Sequence, residues 1–171
     1  MAFFKSKKIQ GTVYDLPHLE PFKFNVAADD EEYRVLVEFG CHCFTTKLEQ
    51  HHTPDLVYEH KLEKRAFDIE RYELSKLLPD YIRGLVGSSV YWSNKGSFFF
   101  WRTPEDDLYL IFFTALKAKT GNVNVRIKIE SAYPAQKMTK YASPIEFADL
   151  IKTKAEGGFP DFGPTVELKR K

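Results

Sequence analysis

The alternation of apolar and polar residues from Tyr33 to Cys43, and again from Val123 to Tyr133, is the feature that most limits how this chain can fold. Successive side chains of a strand point to opposite faces, so an alternating run fits a strand with one buried and one wetted face. In the first run Tyr33, Val35, Val37, Phe39, Cys41 and Cys43 share a face, and Arg34, Glu38 and His42 share the other. In the second, Val123, Val125, Ile127 and Ile129 face in, while Asn124, Arg126, Lys128 and Glu130 face out. Antiparallel sheets commonly leave one face to solvent. The two runs therefore predict an α+β domain built on an antiparallel sheet of about five or six strands. One main helix and a shorter C-terminal helix complete it.

The remaining elements follow from local signals. Phe22 to Val26 also alternates, and the polar stretch 27–32 joins it to the first run as a hairpin. Three further strands are expected over 90–92, 98–102 and 108–115, the first two joined by Ser93-Asn94-Lys95-Gly96, a good turn sequence. Thr45 to Lys64 is polar and irregular and reads as a long surface loop, of the kind that often carries function. Asp68 is an N-cap for a helix whose apolar residues recur at helical spacing, and Pro79 opens a second short helix. Ser143-Pro144-Ile145-Glu146 has the residues of a capping box, which predicts a helix from there to about Lys154, stopped at Gly157-Gly158. The domain is expected to span 1–158, with 159–171 as a mobile basic tail.

Composition narrows the class. A chain of 171 residues suits one domain that buries a sizeable core. No run of about 18 apolar residues is present, so no membrane partner is expected. Cys41 and Cys43 stand two apart on a strand, too far for an unstrained bridge, and Met1 to Gln10 has no apolar signal-peptide core. A reducing, cytoplasmic setting is expected. Charge is uneven. Residues 15–63 hold eleven acidic and four basic residues, whereas 117–171 hold eleven basic and six acidic. A polyanion facing the C-terminal half fits that asymmetry.

Cys41, His42, Cys43, His51 and His52 have the ligand types of a zinc site but not the spacing, because C-x-C on a strand lacks the tight turn of C-x-x-C. Buried core thiols are the simpler reading, and neither a metal nor a cofactor is expected. No G-x-S-x-G marks a hydrolase. Arg71 and Ser75 lie four apart on one helix face, where guanidinium and hydroxyl can hold a phosphate. The alternative is an Arg71 paired with neighbouring glutamates on a solvated helix. Arg126 and Lys128 alternate on the wetted face and can track a phosphate backbone, while Trp92 beside Lys95 can stack a base.

Three fragments carry a resemblance. Phe39-Gly40-Cys41-His42-Cys43-Phe44-Thr45, Arg71-Tyr72-Glu73-Leu74-Ser75-Lys76-Leu77-Leu78-Pro79 and Ser131-Ala132-Tyr133 look like an uncharacterised bacterial, often mobile-element-associated family. The order of a polar helix before a sheet, over residues 35 to 135, is similar to phage-borne ribonucleases of the barnase–EndoU–colicin–RelE class. That resemblance implies a toxin-like, metal-independent endoribonuclease or an inactive relative, with RNA as partner. It implies that Arg71 is the helix contribution and that Ser131 and Tyr133 come from the strand end. The helix has no histidine, which leaves proton transfer to Tyr133 or to His42 on the strand. The rival expectation is a non-enzymatic immunity or antitoxin-type module whose acidic front half binds a partner protein. Convergence of Arg71, Tyr133 and His42 in one cleft is what the ribonuclease expectation requires.

Overall fold

The computed structural model describes residues 2–93, 98–102, 109–137 and 140–168. In chain order the elements are β1 (Lys7–Ile9), β2 (Thr12–Tyr14), β3 (Phe22–Ala28), β4 (Glu31–His42), β5 (Thr45–Thr46), β6 (Val57–His60) and β7 (Glu63–Phe67). Helices α1 (Ile69–Ser75) and α2 (Leu78–Arg83) follow. Then come β8 (Ser89–Ser93), β9 (Phe98–Arg102), β10 (Tyr109–Lys117), β11 (Val125–Pro134), β12 (Tyr141–Glu146), α3 (Phe147–Ala155) and β13 (Val166–Glu167).

The α+β class stands, but the sheet is larger than the expected five or six strands. Eight strands pair in the order β13-β12-β8-β9-β10-β11-β4-β3, and β5-β7-β6 form a smaller sheet beside it. The main sheet is not wholly antiparallel: β4 and β11, the two alternating runs, lie side by side in parallel. There is also no single main helix. α1 and α2 are short, and the C-terminal α3 is the longest of the three, at nine residues.

Alternation decides what each face meets. Val35, Val37 and Phe39 of β4, Val125, Ile127 and Ile129 of β11, and Ile111 and Phe113 of β10 are all buried. α3 lies over this face, with Phe147 6.4 Å from Phe113 and 6.5 Å from Phe24, ring to ring. Each such side chain contributes about 1.5–3 kcal/mol on burial, so this face dominates stability. The opposite face carries Glu38, Lys128, Glu130 and Arg126, none of them buried.

The predicted hairpin forms, with Ala28 paired to Glu31 and Asp29 in the left-handed region at φ 55° that aspartate tolerates. The stretch 45–64 is not a long loop. It holds β5, β6 and the start of β7, with His60 paired to Glu63 around a tight turn. The predicted cap at Asp68 forms, its Oδ1 accepting from the Arg71 amide at 2.9 Å. The predicted capping box does not. Residues 143–146 extend β12 and pair with β8 from Ser143↔Trp92 to Glu146↔Ser89, so α3 begins only at Phe147. Sheet pairing outcompetes the local helix signal. Phe159 and Phe162 pack on Trp92 and β13 pairs with β12, so the described part of 159–171 is docked onto the sheet rather than loose.

Candidate functional site

The site grows from the end of β4. The register to β11 slips there, from Ile129↔Phe39 to Ser131↔His42. Between those pairs Glu130 of β11 faces both Gly40 and Cys41 of β4, a bulge that re-aims side chains. Gly40 permits it: a Cβ at that position would stand 3.2 Å from the Glu130 carbonyl and 3.3 Å from that of Ile129. As a result neighbouring residues that a regular strand would split reach one partner. His42 Nε2 lies 2.7 Å from Glu63 Oε1, and the Cys41 thiol donates to Glu63 Oε2 at 3.3 Å.

The three groups differ in environment. Cys41 is 2% exposed. The side chains of His42 and Glu63 are 36% and 51% exposed. Burial, reinforced by the Glu63 carboxylate, pushes the Cys41 thiol up to about 11. The hydrogen bond to His42 holds the Glu63 carboxyl below its usual range.

α1 supplies the next group. The Asp68 amide donates to the Phe44 carbonyl at 2.9 Å, which pins the start of the helix to the end of β4. One turn on, Arg71 Nη1 donates to the carbonyls of Thr45 at 2.8 Å and His42 at 3.2 Å. Its guanidinium carbon lies 4.9 Å from the centre of the Tyr133 ring. Burial lowers the pKa of Arg71, yet the group stays a cation. Nη1 uses both its hydrogens on the two carbonyls, and the other three N–H donors have no partner among the described residues. Arg71 is thus neither a solvated surface ion nor paired to a glutamate. Arg71 reaches the ring of Tyr133 and the backbone carbonyl of His42, and Ser131 pairs with His42 across the sheet, while the His42 imidazole itself turns to Glu63. Together they make a corner beside, not within, the lining of a groove. Ser75 does not join them. It is fully buried, donates to the Tyr72 carbonyl, and shares a 2.7 Å contact with His18.

Beside the corner the open face of the main sheet and the β6–β7 turn enclose a groove of about 500 Å³. Cys41 and Glu63 form part of its wall. Lys61, Lys117, Lys119, Arg126 and Lys128 line it against the carboxylates of Glu38, Glu63 and Glu130. Arg126 pairs with Glu38, and Lys128 lies 3.6 Å from Glu130. Lys61, Lys117 and Lys119 form no ion pair among the described residues, so the groove keeps a positive excess. Its volume suits one small ligand or a nucleotide-sized part of a larger one.

Other expected residues fall elsewhere. Trp92 packs edge-to-face on Phe159 at 5.4 Å and tilted on Phe162 at 5.7 Å, away from the groove lining. Lys95 lies outside the described residues. Cys43 is a buried core thiol facing the Ile129 carbonyl, and His51 pairs with exposed Glu49 at 3.5 Å. The sequence reading missed Glu63, hidden in the presumed loop, and the lysines 117 and 119 that follow the β10 run.

Among the described residues no helix is long and apolar enough to cross a membrane. No solved structure matches the chain. The protein YjaZ of Escherichia coli (strain K12) is 32% identical over 118 residues, covering 64% of this chain and 64% of that protein. The match thus spans just under two thirds of the relative's length. A family model, described as the YjaZ family, matches residues 6–155. That span takes in β4, β7, α1, β11, the corner residues and every charged residue of the groove. The chain belongs to the YjaZ family.

Proposed function

We propose that this chain is a toxin-like endoribonuclease that draws RNA into the cationic groove and cuts it at the adjoining corner. The observation that supports this most is the contact of Arg71 with the Tyr133 ring, next to the His42 and Ser131 backbones, beside a groove with excess positive charge. RNA carries its own nucleophile. Its 2′-oxygen bonds to phosphorus, the bond from phosphorus to the 5′-oxygen breaks, and one proton leaves the 2′-hydroxyl while another reaches the leaving oxygen. A protein has only to orient the strand, stabilise charge on the phosphate and pass protons. Arg71 fits the second task, because two backbone carbonyls fix it while three N–H donors remain for phosphate oxygens. Tyr133, whose ring lies 4.9 Å from that guanidinium, takes the proton-transfer role in this reading. The groove lysines hold the neighbouring backbone.

The test incubates the purified full chain with unstructured and structured RNA. The reading expects cleavage by the wild type, lost in Arg71→Ala and in Tyr133→Phe, and slowed growth when the wild type is induced. Cleavage that survives Arg71→Ala rejects this site. No cleavage and no growth defect reject the activity and favour the immunity or antitoxin-type module.

A further inference from the structure

We propose that Cys41, His42 and Glu63 form a binding site for one zinc-like divalent metal ion, open toward the groove. Their candidate ligand atoms all lie within 4.8 Å of one another. Around tetrahedral zinc, with bonds of about 2.0–2.3 Å, neighbouring ligand atoms stand roughly 3.3–3.7 Å apart. The Glu63 carboxylate already touches both other groups, at 2.7 and 3.3 Å. Opening those contacts by up to about 1 Å, and drawing the Cys41 and His42 ligand atoms in from the 4.8 Å that bounds the set, would seat an ion between them. Thiolate, imidazole and carboxylate together form a borderline-soft set that suits zinc over magnesium or calcium.

The arrangement is also preformed. The Thr45 hydroxyl donates to the Cys41 carbonyl at 2.7 Å and receives Arg65 Nε at 2.8 Å, while Arg71 holds the His42 carbonyl. Both ligand-bearing backbones are therefore clamped, as outer partners do in metal sites. Glu63 opens β7 just after the tight β6–β7 turn, so its backbone is placed by strand pairing. An ion would displace the thiol proton, which the Glu63 carboxylate already accepts in a hydrogen bond. Three protein ligands leave a fourth position, and the groove whose wall Cys41 and Glu63 form lies on that side.

This revises the metal-free expectation. C-x-C spacing offered no tetrahedral set, because the third ligand comes from another strand and the Gly40 bulge turns adjacent residues to one side. Cys43, His51 and His52 take no part. The proposed cleavage draws its nucleophile from RNA and its charge from Arg71, so it neither requires nor forbids the ion.

The experiment strips the full chain with chelator, dialyses it, and titrates Co²⁺ followed by Zn²⁺. The expected result is one ion per chain, with a thiolate-to-cobalt charge-transfer band that zinc abolishes. Cys41→Ser should lose that band. His42→Ala and Glu63→Gln, both at partly exposed positions that leave the fold intact by circular dichroism, should weaken binding by at least about tenfold. Cys43→Ser and His52→Ala should bind as wild type. Failure of the wild type to retain cobalt overturns the site, as does a band that persists in Cys41→Ser or unchanged affinity in both His42→Ala and Glu63→Gln.

Discussion

The two faces of the main sheet are made by alternate residues of the same strands, yet they do opposite work. On the covered face Val35, Val37, Phe39, Ile127 and Ile129 are buried beneath Phe147 of α3. On the open face Glu38, Arg126, Lys128 and Glu130 form exposed ion pairs around a groove. The contrast teaches that the buried core and the charged groove are separated by strand parity. One place where parity breaks, the bulge at Gly40, is where Cys41, His42 and Glu63 come together. A slip of one residue puts Cys41 and His42 on one carboxylate, which no regular strand could do.

Breaking the covered face should have the largest effect. Phe147→Ala removes a fully buried ring that contacts β3 and β10, and is expected to cost about 3–5 kcal/mol in urea or thermal unfolding. A loss below about 1 kcal/mol would mean that α3 is not the lid of this core. An intermediate effect is expected at the bulge. Gly40→Ala places a Cβ against two backbone oxygens that cannot swing aside, for about 1–3 kcal/mol of strain. The same change should also loosen the corner, seen as weaker Co²⁺ binding. Normal stability together with normal metal binding would show that the close approach is not required. The smallest effect is expected on the open face. Arg126→Ala breaks an exposed pair with Glu38 and should change stability by no more than about 1 kcal/mol.

Much of this division was legible in the sequence, and the reasons are specific. Period-two alternation over Tyr33 to Cys43 and Val123 to Tyr133 is long enough to be unambiguous, and most of each run forms a strand with the expected inner face, Val123 and Cys43 lying just outside. Asp68 caps its helix as its side chain predicts. By contrast β5, β6 and β7 are two, four and five residues long, too short and too charged to show a period, so the stretch 45–64 read as loop. Residues 143–146 satisfy a helix-start pattern, but their backbone pairing with β8 is a tertiary fact that no local window contains. The corner was half legible. Arg71, Tyr133, Ser131 and His42 were picked out and lie on neighbouring segments, with Arg71 against the Tyr133 ring and the His42 carbonyl. Glu63 was not, because its partner is set by a bulge and lies 21 residues away. The groove lysines were missed for a related reason. Their charge was counted, but their shared location depends on β10 lying next to β11.

The central claim is that RNA occupies the groove on the open face. The most direct measurement is the affinity of the full chain for a single-stranded RNA as a function of salt, wild type against Lys117→Glu/Lys119→Glu. Each phosphate neutralised contributes about −0.7 to the slope of log affinity against log salt for a single strand. The account predicts a salt-dependent wild-type affinity, a double variant weakened at least tenfold at low salt, and a slope shallower by roughly 1.4, with unchanged thermal stability. A double variant that binds RNA with the wild-type affinity and slope would place the RNA elsewhere and contradict the account.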